Sequence, residues 1–201
     1  MTQRKSRTDR RIDLIEAARR AIVRHGLDRV QLAHVAEEAG LSSGAVLYHY
    51  PELSELLIDA QQAGVERFYE QRMERVGSIG DPVEKLVTTI RAGLPTGPED
   101  PDVRLLNEAG GAAGRNRVYG VLLTALYDRQ VAMYQSILDT GAALGVFRLA
   151  ADSLSIARNL VALEDAYGYR ITARHPAIDT DRAAELIMTY ARTATGCELT
   201  H

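Results

Sequence analysis

The sequence has only one cysteine and six prolines among its 201 residues, and it lacks any long apolar run. Cys197 alone cannot form an internal disulfide or a thiolate metal site, which is typical of proteins in a reducing cytoplasm. No apolar run reaches the ~18 residues that a membrane helix needs, and no apolar signal core follows the basic N-terminus. The few prolines and the absence of low-complexity tracts exclude a largely disordered chain. We therefore expect a compact cytoplasmic protein without a membrane partner.

Charge is distributed unevenly along the chain. Residues 1–50 hold nine Lys or Arg against six Asp or Glu, whereas residues 51–201 hold fifteen against twenty-one. A basic end on an acidic body indicates an anionic partner for that end. The alternative is an ordinary solvated tail.

Helical periodicity dominates the sequence, because apolar residues recur at steps of three and four and Gly or Pro separates the periodic segments. The pattern predicts helices over about 12–25, 32–39, 43–50, 52–76, 82–92, 102–109, 116–140, 152–174 and 180–195. Gly110 to Gly114 is compatible with either a loop or a loosely packed helix end. No alternating strand, hairpin signal or internal repeat is present, so the predicted fold is all-α.

Residues 31–50 combine the features of a helix-turn-helix. This motif needs a small residue in its first helix, a residue tolerant of positive φ in the turn, and an apolar residue on the inner side of its second helix. Ala36, Gly40 and Val46 supply these positions, and Ser42 offers a cap for the second helix. The alternative is an αα-hairpin inside a helical core, which the same spacing also allows.

The outward side of the second helix would consist of small or hydrogen-bonding residues, which can approach a DNA major groove without a clash. These residues are Ser43, Gly44, Ala45, Tyr48 and His49. A basic arm lies upstream and supplies the cations that phosphate neutralisation needs. Its members are Arg4, Lys5, Arg7, Arg10 and Arg11. The arm favours DNA binding over a purely structural hairpin.

Residues 11–57 resemble the N-terminal domain of the TetR family of bacterial transcriptional regulators. The resemblance rests on the signature A-x-x-x-G-L-S-x-G-x-V-L-Y-H-Y, which runs from Ala36 to Tyr50 and begins about ten residues after His25-Gly26. It covers about a quarter of the chain. The remainder resembles the family only in length and helix pattern.

The resemblance implies two domains. Residues 1–50 would form a three-helix DNA-binding domain, with its helix-turn-helix at about 31–50, and residues 51–201 a helical domain that binds an effector and dimerises. It further implies a homodimer whose third helices enter the major groove of a palindromic double-stranded operator. In such proteins, the positions of Ser42, Ser43, Ala45, Tyr48 and His49 approach bases and phosphates.

Two positions depart from the family pattern. Val30 and Gln31 stand where many members begin helix two with threonine, and Glu52-Leu53-Ser54 stands where many have Ser-Lys-Glu. The second change removes a lysine that contacts phosphate in relatives. We therefore include Gln31 among the expected DNA contacts and expect the basic arm to contribute more than it does in relatives.

The resemblance also places a small-molecule effector of unknown identity in an apolar cavity of the C-terminal domain. The candidate residues are polar or aromatic within apolar helical segments, and each could equally be a core aromatic or a satisfied charge. They are Phe68, Arg104, Asn107, Glu108, Tyr127, Tyr134 and Glu164. Dimerisation would use apolar stripes on the last two helices, although these stripes could instead face their own core. They are Ile156, Leu160, Leu163 and Tyr167, then Leu186 and Tyr190.

Signatures of catalysis are absent from the sequence. No Ser-His-Asp arrangement, phosphate loop or HExxH helix is found, and the five histidines lack metal-ligand spacing. We therefore expect no enzyme activity, no cofactor and no metal. The predicted function is a ligand-responsive regulator that represses transcription until an effector releases it from DNA. An activator with the same fold is an alternative, as is an all-α scaffold protein without sequence-specific DNA binding.

Overall fold

The computed structural model describes residues 7–199 and is helical throughout, without a strand in that range. The helices are α1 Arg7–His25, α2 Leu32–Ala39, α3 Ser43–His49, α4 Leu53–Val76, α5 Pro82–Ala92, α6 Pro101–Ala112, α7 Arg117–Ala143, α8 Ser153–Thr172 and α9 Thr180–Thr195. Each predicted helix is present and the all-α prediction is confirmed. No helix in the described part of the chain is long and apolar enough to cross a membrane.

Local sequence signals set several helix ends. Gly40 adopts φ +64° directly after α2, a left-handed conformation that favours glycine. Asp81 caps α5 by accepting the Glu84 N–H at 2.8 Å, and Pro82 occupies the first turn, where its missing N–H costs nothing. Asp152 and Asp179 cap α8 and α9 in the same way.

Helix α6 is longer than the sequence predicts. It begins at Pro101, where the Asp100 carboxylate accepts the N–H groups of Asp102 and Val103 at 3.1 and 3.2 Å. It then continues through Gly110 and Gly111 to Ala112, so the first glycines of this stretch form a helix end. Both glycines are exposed, with open space where a side chain would lie.

The chain forms two compact units. The first contains residues up to 67 together with 104–123, and the second contains 68–103 and the residues from 124 onward. Helices α4 and α7 contribute to both units, and so does α6. The sequence-based division at residue 50, between a DNA-binding domain and an effector-binding domain, concerns function and stays a prediction.

Each unit has its own apolar core. In the first unit, the core lies among α1, α2, α3 and the first half of α4, with Leu14, Val35 and Leu56 fully buried. In the second, α5, α7, α8 and α9 bury Leu86, Leu138 and other aliphatic side chains. Truncating such a side chain to alanine typically costs about 2–5 kcal/mol.

Candidate nucleic-acid interface and ligand cavity

The three positions predicted to define the helix-turn-helix have the expected geometry. Val46 is fully buried on the inner side of α3, and Ala36 is buried in α2. Between them, the Leu41 N–H donates to the Ala36 carbonyl at 2.9 Å and closes the turn around Gly40. Ser42 caps α3, because its hydroxyl accepts the Ala45 N–H at 3.2 Å. The residues therefore hold α3 in a fixed orientation against α1 and α2.

The outward side of α3 is accessible. Tyr48 has 75% of its surface exposed, the largest fraction among the exposed large apolar side chains. Among the other residues predicted to contact DNA, Ser42, Gly44 and Gln31 are exposed, and Ser43, Ala45 and His49 are half-buried. Arg7 is exposed at the start of α1, whereas Arg4 and Lys5 lie outside the described residues. Their predicted DNA contacts stay predictions.

Arg11 has a structural role that the sequence did not reveal. Its guanidinium stacks over the Tyr50 ring at 4.1 Å and forms an ion pair with Asp59 at 3.2 Å. It also donates to the carbonyl of His49, the last residue of α3. Arg11 therefore joins α1 to the end of α3 and to α4, and it is not a free cation of the basic arm.

Tyr50 completes this cluster. Its hydroxyl donates to the Asp59 carboxylate at 2.8 Å, and its ring is buried. Burial raises the pKa of Tyr50 to about 12, the Asp59 carboxylate adds to that rise, and Arg11 opposes it. The last tyrosine of the Tyr48-His49-Tyr50 motif thus fixes α3 in place, while the first faces outward.

Two side chains of α6 hold the end of α1. The Glu108 carboxylate accepts the Leu27 N–H at 2.7 Å, just past the point where Gly26 ends α1 with φ +81°. Arg104 donates to the Val23 carbonyl at 3.3 Å. Both contacts lie within the first unit and satisfy backbone groups that the end of a helix leaves unpaired.

The second unit contains a cavity of about 200 Å³. Four of its lining residues lie on one face of α4, and the rest come from the end of α5, the loop that follows it and the start of α6. They are Phe68, Gln71, Arg72 and Arg75, then Ala92, Leu94, Thr96, Asp100, Pro101 and Asp102. The wall mixes apolar, amide, hydroxyl and charged groups, and it is more polar than most small-molecule sites, whose walls are mainly apolar.

Arg72 belongs to a buried polar cluster beside this cavity. Its Nη2 donates to Glu164 at 2.6 Å, to the Thr89 carbonyl at 2.8 Å and to the Tyr134 hydroxyl at 3.0 Å. Tyr134 also hydrogen-bonds the Glu164 carboxylate, which lies directly against Gly93. A side chain at Gly93 would overlap that carboxylate, so the glycine makes room for the cluster.

Burial shifts the acid–base behaviour of this cluster. It raises the pKa of Glu164 above its ordinary range, although the Arg72 guanidinium and the Tyr134 hydroxyl oppose the shift. It also raises the pKa of Tyr134, to which the neighbouring Glu164 carboxylate adds. The cluster therefore keeps the Tyr134 proton in place over the ordinary pH range.

The predicted effector residues separate into two groups. Phe68 lines the cavity, Tyr134 and Glu164 form the buried cluster with Arg72, and Tyr127 packs against the same core. Arg104 and Glu108 instead bind the end of α1, and Asn107 lies beside them on α6 in the first unit.

The sequence analysis overlooked Arg72. A signal was present, because Val65, Tyr69, Arg72 and Val76 follow one another at steps of four, three and four along α4. An arginine in an otherwise apolar stripe indicates a buried charge with a partner.

The residues predicted for dimerisation differ in exposure. Ile156 and Leu160 are buried in the core of their own unit and offer no surface to a second copy. Leu163, Tyr167 and Tyr190 are partly buried and pack against that core, and Leu186 is also partly buried. A dimerisation role for Ile156 and Leu160 stays a prediction that their burial does not favour.

No group of three or more metal-ligating side chains occurs among the described residues.

The fold and the α2–α3 geometry define a helix-turn-helix protein. Residues 14–60 match the family described as "Bacterial regulatory proteins, tetR family". The match covers the N-terminal segment, so it shows that residues 14–60 are similar to this family.

One curated relative is the HTH-type transcriptional regulator TtgR of Pseudomonas putida, which is 35% identical over 78 residues. The match covers 38% of this chain and 35% of TtgR, so it spans about a third of the relative's length.

Solved structures match over nearly the whole chain. A putative transcriptional regulator from Saccharomonospora viridis in complex with choline has a TM-score of 0.86 at 24% identity, covering 94% of this chain and 98% of that one. AibR in complex with isovaleryl coenzyme A and operator DNA has a TM-score of 0.68 at 18% identity, covering 90% and 97%. At these identities the likeness establishes a shared fold.

Proposed function

We propose that the protein is a ligand-responsive transcriptional regulator that binds a palindromic operator as a homodimer and represses transcription until a small molecule releases it. The observation that carries the proposal is the outward side of α3, where Tyr48 projects from a helix anchored by Val46 and capped by Ser42. Such a short, fixed helix with small neighbours suits entry into a major groove. From this proposed role in transcription we infer a cytoplasmic location.

The experiment that tests this proposal is selection of binding sites from a random DNA pool with the purified full chain. We expect enrichment of a sequence with two-fold symmetry, because each subunit of a dimer would contact one half-site. Enrichment of no sequence, with binding that merely weakens in salt, would contradict the proposal and favour the scaffold interpretation.

We assign the dimer contact to the exposed side of α8 rather than to its buried stripe. Ala162, Ala166 and Tyr169 are exposed there at spacings of four and three, and small residues let two helices approach closely. Ala166→Arg is expected to shift the protein from dimer to monomer in analytical ultracentrifugation. Ala132→Arg, at an exposed alanine of α7, is the matched control and should leave the dimer intact.

Release by an effector would act through α6. Pro101 and Asp102 of this helix line the cavity, whereas Arg104 and Glu108 hold the end of α1. A ligand that binds more tightly when α6 occupies one position than when it occupies another would favour the first position. The free energy of DNA binding would change by that difference in ligand-binding free energy. The choline and isovaleryl coenzyme A complexes of the two structural relatives support a ligand-responsive role for this fold.

Repression is tested with a reporter whose promoter overlaps the selected site. Expression of the protein should lower reporter output, and Tyr48→Ala should restore it. A rise in output on expression of the wild type would instead show an activator.

A further inference from the structure

Arg72 is the one charged residue of the cavity wall that is almost wholly buried, with 1% of its side chain exposed. Its three hydrogen bonds all leave from Nη2. The Nε and Nη1 atoms of Arg72 have no acceptor among the described residues. Oε2 of Glu164 likewise has no donor among them. Buried donors without partners are costly, at about 1–3 kcal/mol each, and this guanidinium has two donors that no acceptor in residues 7–199 satisfies.

The acidic residues of the wall do not supply the missing acceptors. Asp100 accepts from the N–H and hydroxyl of Thr96, both at 2.9 Å, and from two N–H groups at the start of α6. Asp102 is also engaged within the protein. The Asp100 carboxylate is therefore committed to local structure, and Asp102 has a partner of its own.

A second guanidinium lines the same cavity. Arg75 lies three residues after Arg72, which places both on one face of α4 together with Phe68. Arg75 is exposed and makes no ion pair within residues 7–199. The wall thus presents one buried cation with spare donors and one unpaired cation at the rim.

We propose that this cavity binds a small organic carboxylate whose oxygens accept from Arg72 and whose short apolar part packs against Phe68, Ala92 and Leu94. Hydrogen bonds between guanidinium and carboxylate are charge-assisted and stronger than those to neutral acceptors. Arg72 lines the cavity, and its Nε and Nη1 atoms are buried there without a partner in the described part of the chain. This inference rests on the proposed function, because the carboxylate is the effector.

The cavity volume restricts the size of the ligand. A space of about 200 Å³ corresponds to roughly seven water molecules at liquid density. A short-chain or single-ring monocarboxylate fits this volume. A quaternary ammonium ion offers no acceptor to the unpaired donors of Arg72.

The test is calorimetric titration of the full-length protein with sodium butyrate, hexanoate and benzoate. Butyramide, hexanamide and benzamide are the neutral counterparts, and choline chloride is the cationic control at equal ionic strength. We expect saturable binding of at least one carboxylate, binding of its amide at least about tenfold weaker, and none of choline. Absence of binding by every carboxylate, or equal binding of acid and amide, overturns the proposal.

Variants locate the binding within the cavity. Ala92→Leu places a larger apolar side chain in the cavity wall and leaves both Arg72 and Glu164 in the chain, whereas Arg72→Lys keeps the buried charge but removes the Nε and Nη1 donors. Each should weaken carboxylate binding at least about tenfold with an unchanged helical circular dichroism spectrum. Ala132→Leu, at an exposed alanine of α7, should bind as the wild type does. Wild-type affinity in Ala92→Leu or in a folded Arg72→Lys would contradict the site.

DNA binding is measured on the same preparations. If the wild type binds its selected DNA site but no carboxylate, the ligand inference fails while the proposed function stands. If carboxylates bind but no DNA site is enriched, the cavity is a ligand site and the proposed function fails.

Discussion

The Glu108 carboxylate of α6 accepts the backbone N–H of Leu27, 81 residues earlier in the chain, at 2.7 Å. The pairing satisfies an amide that the end of α1 would otherwise leave without a partner, and Leu27 itself is buried. Arg104, one turn earlier on α6, binds the Val23 carbonyl of the same helix end. The end of α1 is therefore tied to α6 by two specific hydrogen bonds.

Glu108→Ala should lower the free energy of unfolding by about 1–3 kcal/mol, because it leaves the buried Leu27 N–H without an acceptor. Glu108→Gln keeps an acceptor oxygen in place and should lose less than half of that amount. Urea denaturation followed by circular dichroism measures both. Equal stability of the alanine variant and the wild type would show that water replaces the contact at no cost.

Gly40→Ala should destabilise the protein by about 1–2 kcal/mol through backbone strain alone. The residue has φ +64°, and no atom lies where the new methyl group would be, so steric overlap is absent. Gly44→Ala is the matched control, since Gly44 is helical and its new methyl group would meet only the Ser42 hydroxyl at 4.0 Å. Thermal unfolding should show a lower Tm for the first variant only.

The sequence predicts the α2–α3 turn well because every determinant is local. Gly40 sets the left-handed turn, Ser42 caps α3, and Val46 turns inward within ten residues of Ala36. The caps at Asp81, Asp152 and Asp179 are likewise local, so helix positions follow from the order of residues.

The buried polar cluster beside the cavity could not be predicted in the same way, because its members are distant in sequence. The hydrogen bond between Arg72 and Glu164 spans 92 residues, and that between Arg72 and Tyr134 spans 62. Arg104 and Glu108 are polar side chains in an apolar helical segment, which is the pattern used to predict ligand contacts. In the structure they hydrogen-bond the end of α1 instead. The local sequence pattern thus predicts the helices and the face of each that is buried, but it does not predict which faces pack against one another.

Protein stability should fall as the pH rises from about 10 to about 12, in part because of Tyr50. Its pKa is raised from 10.0 to about 12 in the folded state, so in this range the folded protein keeps a proton that the unfolded chain has lost. This contribution is fully present below pH 10 and is lost as the pH passes 12.

Tyr50→Phe tests that contribution, because it removes the titrating hydroxyl and keeps the ring beneath Arg11. Its unfolding free energy should depend less steeply on pH between 10 and 12 than that of the wild type. A remaining slope is expected from Tyr119 and Tyr134, whose pKa values burial also raises. An unchanged slope in urea titrations would contradict the assignment.

Glu164→Gln should destabilise the protein by about 3–5 kcal/mol, because it leaves the Arg72 guanidinium buried without its counter-charge. The double variant Arg72→Met with Glu164→Leu removes both charges and should regain most of that loss. Chemical denaturation of the wild type and the two variants measures this. If the single variant is as stable as the wild type, the two residues are not a coupled buried pair.

Tyr48→Ala should weaken binding to the selected DNA site at least about tenfold, because Tyr48 is the large side chain exposed on the outward face of α3. Stability should stay within about 0.5 kcal/mol of the wild type, as is usual for an exposed side chain. Val121→Ala, at an apolar side chain of α7 that is 58% exposed, is the control and should bind DNA normally. Fluorescence anisotropy with labelled duplexes gives both affinities.

Sequence-specific DNA binding by α3 is the central claim, and comparison of two duplexes tests it most directly. Affinity is measured for the selected palindrome and for a scrambled duplex of equal length and composition, at low and near-physiological salt. The account predicts that the palindrome binds at least about 10³-fold more tightly near physiological salt. Equal affinity for the two duplexes, falling together as salt rises, would show phosphate binding alone and would contradict it.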